Sequence, residues 1–155
     1  MLSVKNLTLE ESIYINSPIS RIWTIFTQLE SWPTWNSICT DSHWLGEQEW
    51  KDQGRFIFNL EMGSFKIPFT VKVAEYSYHH KIAWESNKIS ITGRREFIFE
   101  KIDSSTTLVT DRKLFSSSFL PIKLFYPTWV IKNMSKQWLD NLKSYAENQE
   151  AHYCN

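Results

Sequence analysis

Six strand-like segments follow one another through the middle of this 155-residue chain, with only short turns between them. Their β-branched and aromatic residues predict strands at about 39–46, 54–62, 65–76, 80–87, 89–102 and 106–116. Turn-prone pieces such as Met62-Gly63-Ser64 and 103–105 separate them. Connections this short favour antiparallel hairpins over helical crossovers. We therefore expect the middle of the chain to form an antiparallel sheet.

One face of this predicted sheet is apolar. In the third segment the apolar side chains occupy alternate positions, which are Phe65, Ile67, Phe69, Val71 and Val73. The positions between them are mostly polar, and Pro68 among them predicts a sheet edge or a bulge, because proline has no N–H to donate to a ladder. Phe97 and Phe99 share a face, as do Val109 and Phe115. An apolar sheet face has to be covered by another element.

The two ends of the chain supply helices for that purpose. A further strand is predicted at 9–16, and Ser17-Pro18 after it marks a helix start, with an apolar helix face that runs to about Glu30. The segment 31–36 is a short connector or a second helix, since Pro33 disfavours α geometry at Trp32. The sheet is therefore preceded by short helical elements.

A long amphipathic helix is predicted at the C-terminal end. Its apolar side chains recur at spacings of three and four, at Ile131, Met134, Trp138, Leu142 and Tyr145. The helix begins either near Pro121, with a kink, or near Pro127. From 127 to 150 it would be roughly 36 Å long, at 1.5 Å per residue. That length is sufficient to lie across a curved sheet of seven strands.

Composition excludes several classes of function. Lys plus Arg and Asp plus Glu number 17 each, so no overall field favours nucleic acid or an anionic membrane. No apolar run is long enough for a stable membrane insertion, and the start of the chain is no secretory signal.

Cys39 and Cys154 are interpreted as free thiols, which predicts a reducing, cytoplasmic location. The 8 tryptophans, 6 tyrosines and 10 phenylalanines suit either a filled core or the lining of an apolar pocket.

The sequence carries no convincing catalytic or metal-binding motif. Asp41 and His43 could share a strand face, but two ligands without a third do not make a metal site. His79 and His80 are adjacent, so on a strand or hairpin they point apart, and a solvated turn explains them. We predict no metal and no cofactor, because phosphate-binding glycine loops and nucleophile elbows are also missing from the sequence.

Several short motifs resemble the START-like (SRPBCC) superfamily, and within it the polyketide cyclase/dehydrase and lipid-transport proteins. They comprise Ile22-Trp23, the Trp-Pro-x-Trp-Asn piece at 32–36, Lys81-Ile82-Ala83-Trp84, and Thr107 to Thr110 with Phe115-Ser116. Where members often carry glycine after the last strand, this chain has Ser117. The resemblance covers about 9–147 and implies the helix-grip fold. This is an α+β architecture with a curved seven-stranded antiparallel sheet around the C-terminal helix and two short helices after the first strand, here as a single domain over 1–155.

The resemblance implies a cavity for a small hydrophobic ligand between the sheet and the last helix. If Phe97 and Phe99 face this hollow, Arg95, Asp111 and Lys113 share their face, and a turn at 103–105 places Phe97 opposite Asp111. Arg95 and Asp111 would form a polar spot that orients a ligand carbonyl, phenol or carboxylate, or else an ion pair at the pocket rim or the sheet end. They are also the candidate catalytic residues. The expected ligand-binding residues are Phe58, Leu60, Phe69, Val71, Trp84, Arg95, Phe97, Phe99, Asp111, Lys113, Met134 and Trp138.

Three functions fit these expectations. The first is a carrier or sensor for a lipid, polyketide or isoprenoid-like molecule. The second is a cyclase or dehydrase in which the same cavity folds a reactive chain and one polar group moves a proton. The third is a protein-interaction module with a vestigial cavity, in which the apolar segment 118–126 docks a partner or else acts as a lid. Oligomeric state stays open.

Overall fold

The computed structural model of the chain describes residues 5–46, 49–88, 91–117 and 127–151. Seven strands, three α-helices and one 3₁₀ turn lie within these ranges. The elements are β1 (Lys5–Ile15), α1 (Ile19–Thr27), the 3₁₀ turn Leu29–Ser31, α2 (Trp32–Trp35), β2 (Cys39–Trp44), β3 (Arg55–Met62), β4 (Phe65–Ser77), β5 (Lys81–Lys88), β6 (Ile91–Asp103), β7 (Thr106–Ser117) and α3 (Thr128–Ala151).

All seven strands belong to one antiparallel sheet. Its order is β1-β7-β6-β5-β4-β3-β2, so consecutive strands from β2 to β7 are hairpin neighbours. β1 pairs with β7 and forms one edge of the sheet. Bulges interrupt the ladders within β2, β4 and β6, and such irregularities bend a sheet. The α+β helix-grip fold is thus confirmed, with a curved sheet, a long C-terminal helix and short helices after the first strand.

The predicted alternation of buried apolar and exposed side chains is present in β4, and it weakens toward the start of the strand. Val71 and Val73 are buried, Ile67 and Phe69 are half-buried, and Phe65 is exposed. The intervening Pro68 pairs with Asn59 of β3, whereas the registered pairs of β4 with β5 begin only at Lys72. Proline therefore stands where β4 extends past β5, which is the edge position that its missing N–H predicted.

Two local expectations near the N-terminal end need correction. Pro18 is the N-cap of α1 in extended conformation, so it precedes the helix instead of occupying its first turn. Trp32 takes right-handed helical angles although Pro33 follows it, and the segment is a short helix. The reason is tertiary: Trp32 is fully buried, and its indole N–H donates to the carbonyl of Phe26 at 2.8 Å. Packing and this hydrogen bond outweigh the local preference.

Helix α3 covers the apolar face of the sheet. Its buried side chains include Met134, Trp138 and Leu142 from the predicted stripe, and Tyr145 is half-buried. The helix begins directly after Pro127, whose carbonyl accepts the N–H groups of the first turn. Within the described ranges, no helix is long and apolar enough to cross a membrane.

Three expectations concern residues outside the described ranges. They are the alternative helix start at Pro121, the role of 118–126 as lid or docking segment, and the thiol of Cys154. Cys39, by contrast, is described and is a buried free cysteine. Burial raises the pKa of the Cys39 thiol to about 11, so it stays protonated and unreactive near neutral pH.

Candidate functional site

A cavity of about 80 Å³ lies between the sheet and the N-terminal half of α3. Strands β3 to β7 form its floor and walls, and Ile131 and Met134 of α3 form its roof. Its lining is mostly apolar, with Arg95 and Lys113 at one side. The lining residues are Phe58, Leu60, Ile67, Phe69, Val71, Trp84, Ser86, Ile91, Gly93, Arg94, Arg95, Lys113, Phe115, Ile131 and Met134.

Eight of the residues expected at the ligand line this cavity, namely Phe58, Leu60, Phe69, Val71, Trp84, Arg95, Lys113 and Met134. The other four, Phe97, Phe99, Asp111 and Trp138, do not contribute to its wall and are almost fully buried behind it. Phe97 packs between Phe26 of α1 and Trp84, and Phe99 packs on Phe26 and Trp23, so both fill the core under α1.

Several wall residues were missed at the sequence level although their positions indicated them. Ile67 lies on the same face of β4 as Phe69, and Phe115 lies on the same face of β7 as Lys113. Ile131 belongs to the apolar stripe of α3. Ile91 and Gly93 lie at the start of β6, and no local pattern placed that end of the strand at the cavity.

A buried ion pair stands at the polar side of the cavity. Arg95 of β6 donates from Nε to Oδ1 of Asp111 at 3.0 Å and from Nη2 to Oδ2 at 2.8 Å. The register places Phe97 opposite Asp111, as predicted, so Arg95 reaches Asp111 diagonally. Relative exposure is 7% for Arg95 and 1% for Asp111, which excludes an ion pair at a rim or a splayed sheet end. A two-point pair of this kind fixes the orientation of the guanidinium.

Aromatic rings enclose the guanidinium of Arg95. Its Cζ atom lies 4.2 Å from the ring centroid of Trp138, 4.6 Å from that of Phe97 and 5.7 Å from that of Trp84. Rings at these distances attract a cation through their negative faces. Trp138, which we expected among the ligand-binding residues, therefore serves as a platform for Arg95.

Lys113 joins the ion pair from the strand position opposite Arg95. Its Nζ atom donates to Oδ2 of Asp111 at 3.1 Å and contacts Oγ of Ser135 on α3. The relative exposure of Lys113 is 9%, so this amine is almost completely removed from water. We call Arg95, Asp111, Lys113 and Ser135 the polar cluster.

Burial and charge act in opposite directions on Asp111. Burial alone would raise the pKa of its carboxyl, but Arg95 and Lys113 outweigh this through their charges and hydrogen bonds and hold the pKa at about 2. Asp111 is consequently ionised at neutral pH and is a weak base. For Lys113, burial and the repulsion of Arg95 lower the pKa to about 8, although Asp111 opposes this shift.

The residues described bring no metal site together. Asp41 and His43 do meet, with 3.2 Å between Oδ2 and Nδ1, but both side chains are about half exposed. In the described part of the chain, no group of three or more His, Cys, Asp or Glu side chains could hold a metal ion.

A family model described as polyketide cyclase / dehydrase and lipid transport matches residues 6–147. No curated protein matches the chain significantly in sequence.

Solved structures share the fold at low sequence identity. The Zhui aromatase/cyclase from Streptomyces sp. R1128 has a TM-score of 0.76 at 11% identity, over 94% of this chain and 96% of that chain. Major latex-like protein 151 from Panax ginseng has a TM-score of 0.77 at 10% identity, over 91% and 97%. A START superfamily protein from Mycobacterium smegmatis has a TM-score of 0.71 at 14% identity, over 92% and 98%. These likenesses support the fold.

Proposed function

Because the chain belongs to the polyketide cyclase / dehydrase and lipid transport family, we propose that it binds a small hydrophobic or aromatic molecule in the cavity, as a carrier or sensor. The observation that carries this proposal is the contrast inside the cavity. Apolar side chains such as Phe58, Phe69 and Ile131 form most of the wall, and Arg95 and Lys113 also line it. Apolar pockets with a few placed polar groups are typical ligand sites.

The polar cluster defines the ligand chemistry that fits. Arg95 and Lys113 are hydrogen-bond donors without acceptor capacity, so the matching ligand group is an oxygen acceptor, such as a carbonyl, a phenol oxygen or a carboxylate. Asp111 accepts hydrogen bonds from both of them within the cluster. The preferred ligand is accordingly an apolar body that ends in one oxygen group.

The size of the cavity also bears on the ligand. Pockets for drug-sized molecules have volumes of roughly 300–1,000 Å³, whereas this cavity has about 80 Å³. A ligand larger than a single ring must therefore displace wall side chains. Met134 in the roof is suited to this, because its unbranched thioether changes rotamer readily.

A second candidate function is a reaction of cyclase or dehydrase type in the same cavity. The observation in its favour is the nearly water-free amine of Lys113 at the wall, since a proton-transfer group has to meet the substrate. Asp111 is the weaker candidate for a base, because its pKa is held at about 2. A carrier needs only the cavity and its donors, so we place carriage or sensing first.

Met134→Trp should abolish ligand retention, because it adds an indole to the roof of the cavity. We expect native mass spectrometry of the wild-type protein, with denaturing extraction, to reveal a copurified hydrophobic molecule that carries oxygen. The matched control is Lys136→Trp, which puts the same ring on the exposed face of α3. It should retain the molecule that Met134→Trp has lost.

Two outcomes would contradict the proposed function. One is equal retention by both variants, because the molecule would then bind outside the cavity. The other is a clean protein mass for the wild-type chain, together with no thermal shift after incubation with lipids, quinones and aromatic polyketides.

A further inference from the structure

The amine of Lys113 is the one group of the polar cluster that the ion pair does not need. Arg95 alone neutralises Asp111, with two hydrogen bonds that engage both carboxylate oxygens. A protonated Lys113 therefore leaves the buried cluster with one uncompensated positive charge. Burial penalises such a charge, so the surroundings raise the neutral fraction of this amine above that of an exposed lysine.

We propose that Lys113 reversibly captures small aldehydes or ketones in the cavity by forming an imine. This inference rests on the proposed function in one respect, namely that a ligand enters the cavity. It adds the class of ligand, carbonyl compounds, and the atom that holds them, Nζ of Lys113. A neutral amine is the nucleophile in this chemistry, and a lysine becomes one when it is desolvated or placed beside another cation. Lys113 meets both conditions.

The charged groups around Lys113 come from three strands. Arg95 of β6 faces it across the ladder, Asp111 lies two positions away on β7, and Glu11 lies on β1 at a longer distance. The group that α3 contributes is the uncharged hydroxyl of Ser135. Burial and Arg95 lower the pKa of Lys113 to about 8 against the opposing effect of Asp111 and Glu11. At pH 7 about a tenth of such an amine is neutral, compared with less than about a thousandth of an ordinary lysine.

The capture step is balanced without any further reactant. The nitrogen lone pair of Lys113 attacks the carbonyl carbon, a C–N bond forms, and the π electrons of C=O move to oxygen. A proton then moves from nitrogen to that oxygen, and the hydroxyl of Ser135 at Nζ is placed to relay it. Loss of this oxygen as water, with a second proton from nitrogen, leaves a neutral C=N bond. Water reverses each step, so the ligand can be released intact.

The walls select which carbonyl compounds fit. Phe58, Phe69 and Phe115 line the cavity and favour an aromatic or branched apolar body over a sugar-like one. Arg95 adds a donor beside Lys113, which can hold the carbonyl oxygen while nitrogen attacks carbon. Benzaldehyde is a suitable probe, because it combines one ring with one carbonyl.

The test is reductive trapping on the full chain. At pH 7 benzaldehyde forms the imine with a lysine amine, and cyanoborohydride supplies the hydride that reduces this imine to a stable N-benzyl amine, which peptide mapping locates. Lys113 should be modified at least about tenfold faster than Lys72, an exposed lysine on β4 that serves as the internal control. Lys113→Arg, which keeps the charge but cannot form the imine, should lose the fast modification. A modification rate of Lys113 that is equal to or lower than that of Lys72 would overturn the inference.

A second measurement separates this inference from the proposed function. Benzyl alcohol has the same ring but no carbonyl, so its binding is followed through the methyl signals of Ile67 and Ile131. Binding of the alcohol without trapping of the aldehyde at Lys113 overturns imine capture and leaves the cavity as a ligand site. If benzyl alcohol does not bind and benzaldehyde is not trapped at Lys113, both the imine proposal and the proposed function are overturned.

Discussion

Asp111→Asn should lower the free energy of unfolding by about 3–5 kcal/mol at pH 6, because it leaves Arg95 and Lys113 buried without a counter-charge. Asparagine keeps the shape of the side chain, so packing changes little and the effect reports on charge. Total stabilities of about 5–15 kcal/mol mean that such a loss is a large fraction of the whole. Urea unfolding followed by circular dichroism measures it.

The pH dependence of this variant is also predicted. In the wild-type chain the pKa of Asp111 is held at about 2, so its stabilising contribution is present above the ordinary pKa of about 4 and is lost as the pH falls toward 2. Without Asp111, the pKa of Lys113 should fall further. At pH 9 Lys113 is then neutral, so the destabilisation should be smaller at pH 9 than at pH 6.

Glu85→Gln is the matched control for this prediction. Glu85 forms an ion pair with Arg94 at 3.0 Å, but its side chain is 40% exposed, so its removal should cost less than about 1 kcal/mol. A loss for Asp111→Asn that is as small as that for Glu85→Gln would show that the polar cluster is open to water, contrary to our description.

Trp32→Ala should destabilise the chain by about 3–5 kcal/mol, which is the usual range for removal of a buried aromatic side chain. Trp32 has no exposed surface, and its ring contacts five other rings in addition to that of Phe26. These rings are those of Trp50, Phe56, Phe58, Trp84 and Trp138. Two of them, Phe58 and Trp84, belong to the cavity wall, so the cavity should also lose its shape.

Two further variants separate the contributions to this loss of stability. Trp32→Phe keeps a ring but removes the hydrogen bond to the buried carbonyl of Phe26, which should cost about 1–3 kcal/mol. Trp129→Ala removes a tryptophan that is 61% exposed and should change stability by about 0.5 kcal/mol or less. Equal losses for Trp32→Ala and Trp129→Ala would contradict the placement of Trp32 at the centre of the aromatic core.

The sequence predicted the sheet well because short hairpins fix register. A turn at 103–105 was sufficient to place Phe97 opposite Asp111, and side-chain parity then put Arg95 and Lys113 on the same face. The long C-terminal helix followed from the spacing of its apolar residues, and Pro127 was one of its two predicted starts. These features depend on neighbours along the chain or on one adjacent strand.

The depth of each side chain could not be predicted in the same way. Trp138 was expected among the ligand-binding residues, but it does not line the cavity and is a buried platform for Arg95, which depends on how α3 is placed against the sheet. The contact of Ser135 with Lys113 depends on that same placement, and no local pattern indicates it. Trp32 likewise is helical because of its buried contacts, against the preference set by Pro33. Contacts between the helices and the sheet depend on tertiary packing, which no short stretch of sequence encodes.

The central claim is that the cavity is the ligand site, and methyl NMR of isoleucine-labelled protein tests it most directly. The probe is phenol, an aromatic body of one ring with one oxygen group. Ile67, Ile91 and Ile131 line the cavity, whereas Ile22 of α1 is buried in the core away from it and Ile102 is exposed at the far end of β6. Our account predicts saturable shifts at the three cavity isoleucines, with Ile22 and Ile102 unchanged. Shifts at Ile102 alone, or at none of the five, would contradict it.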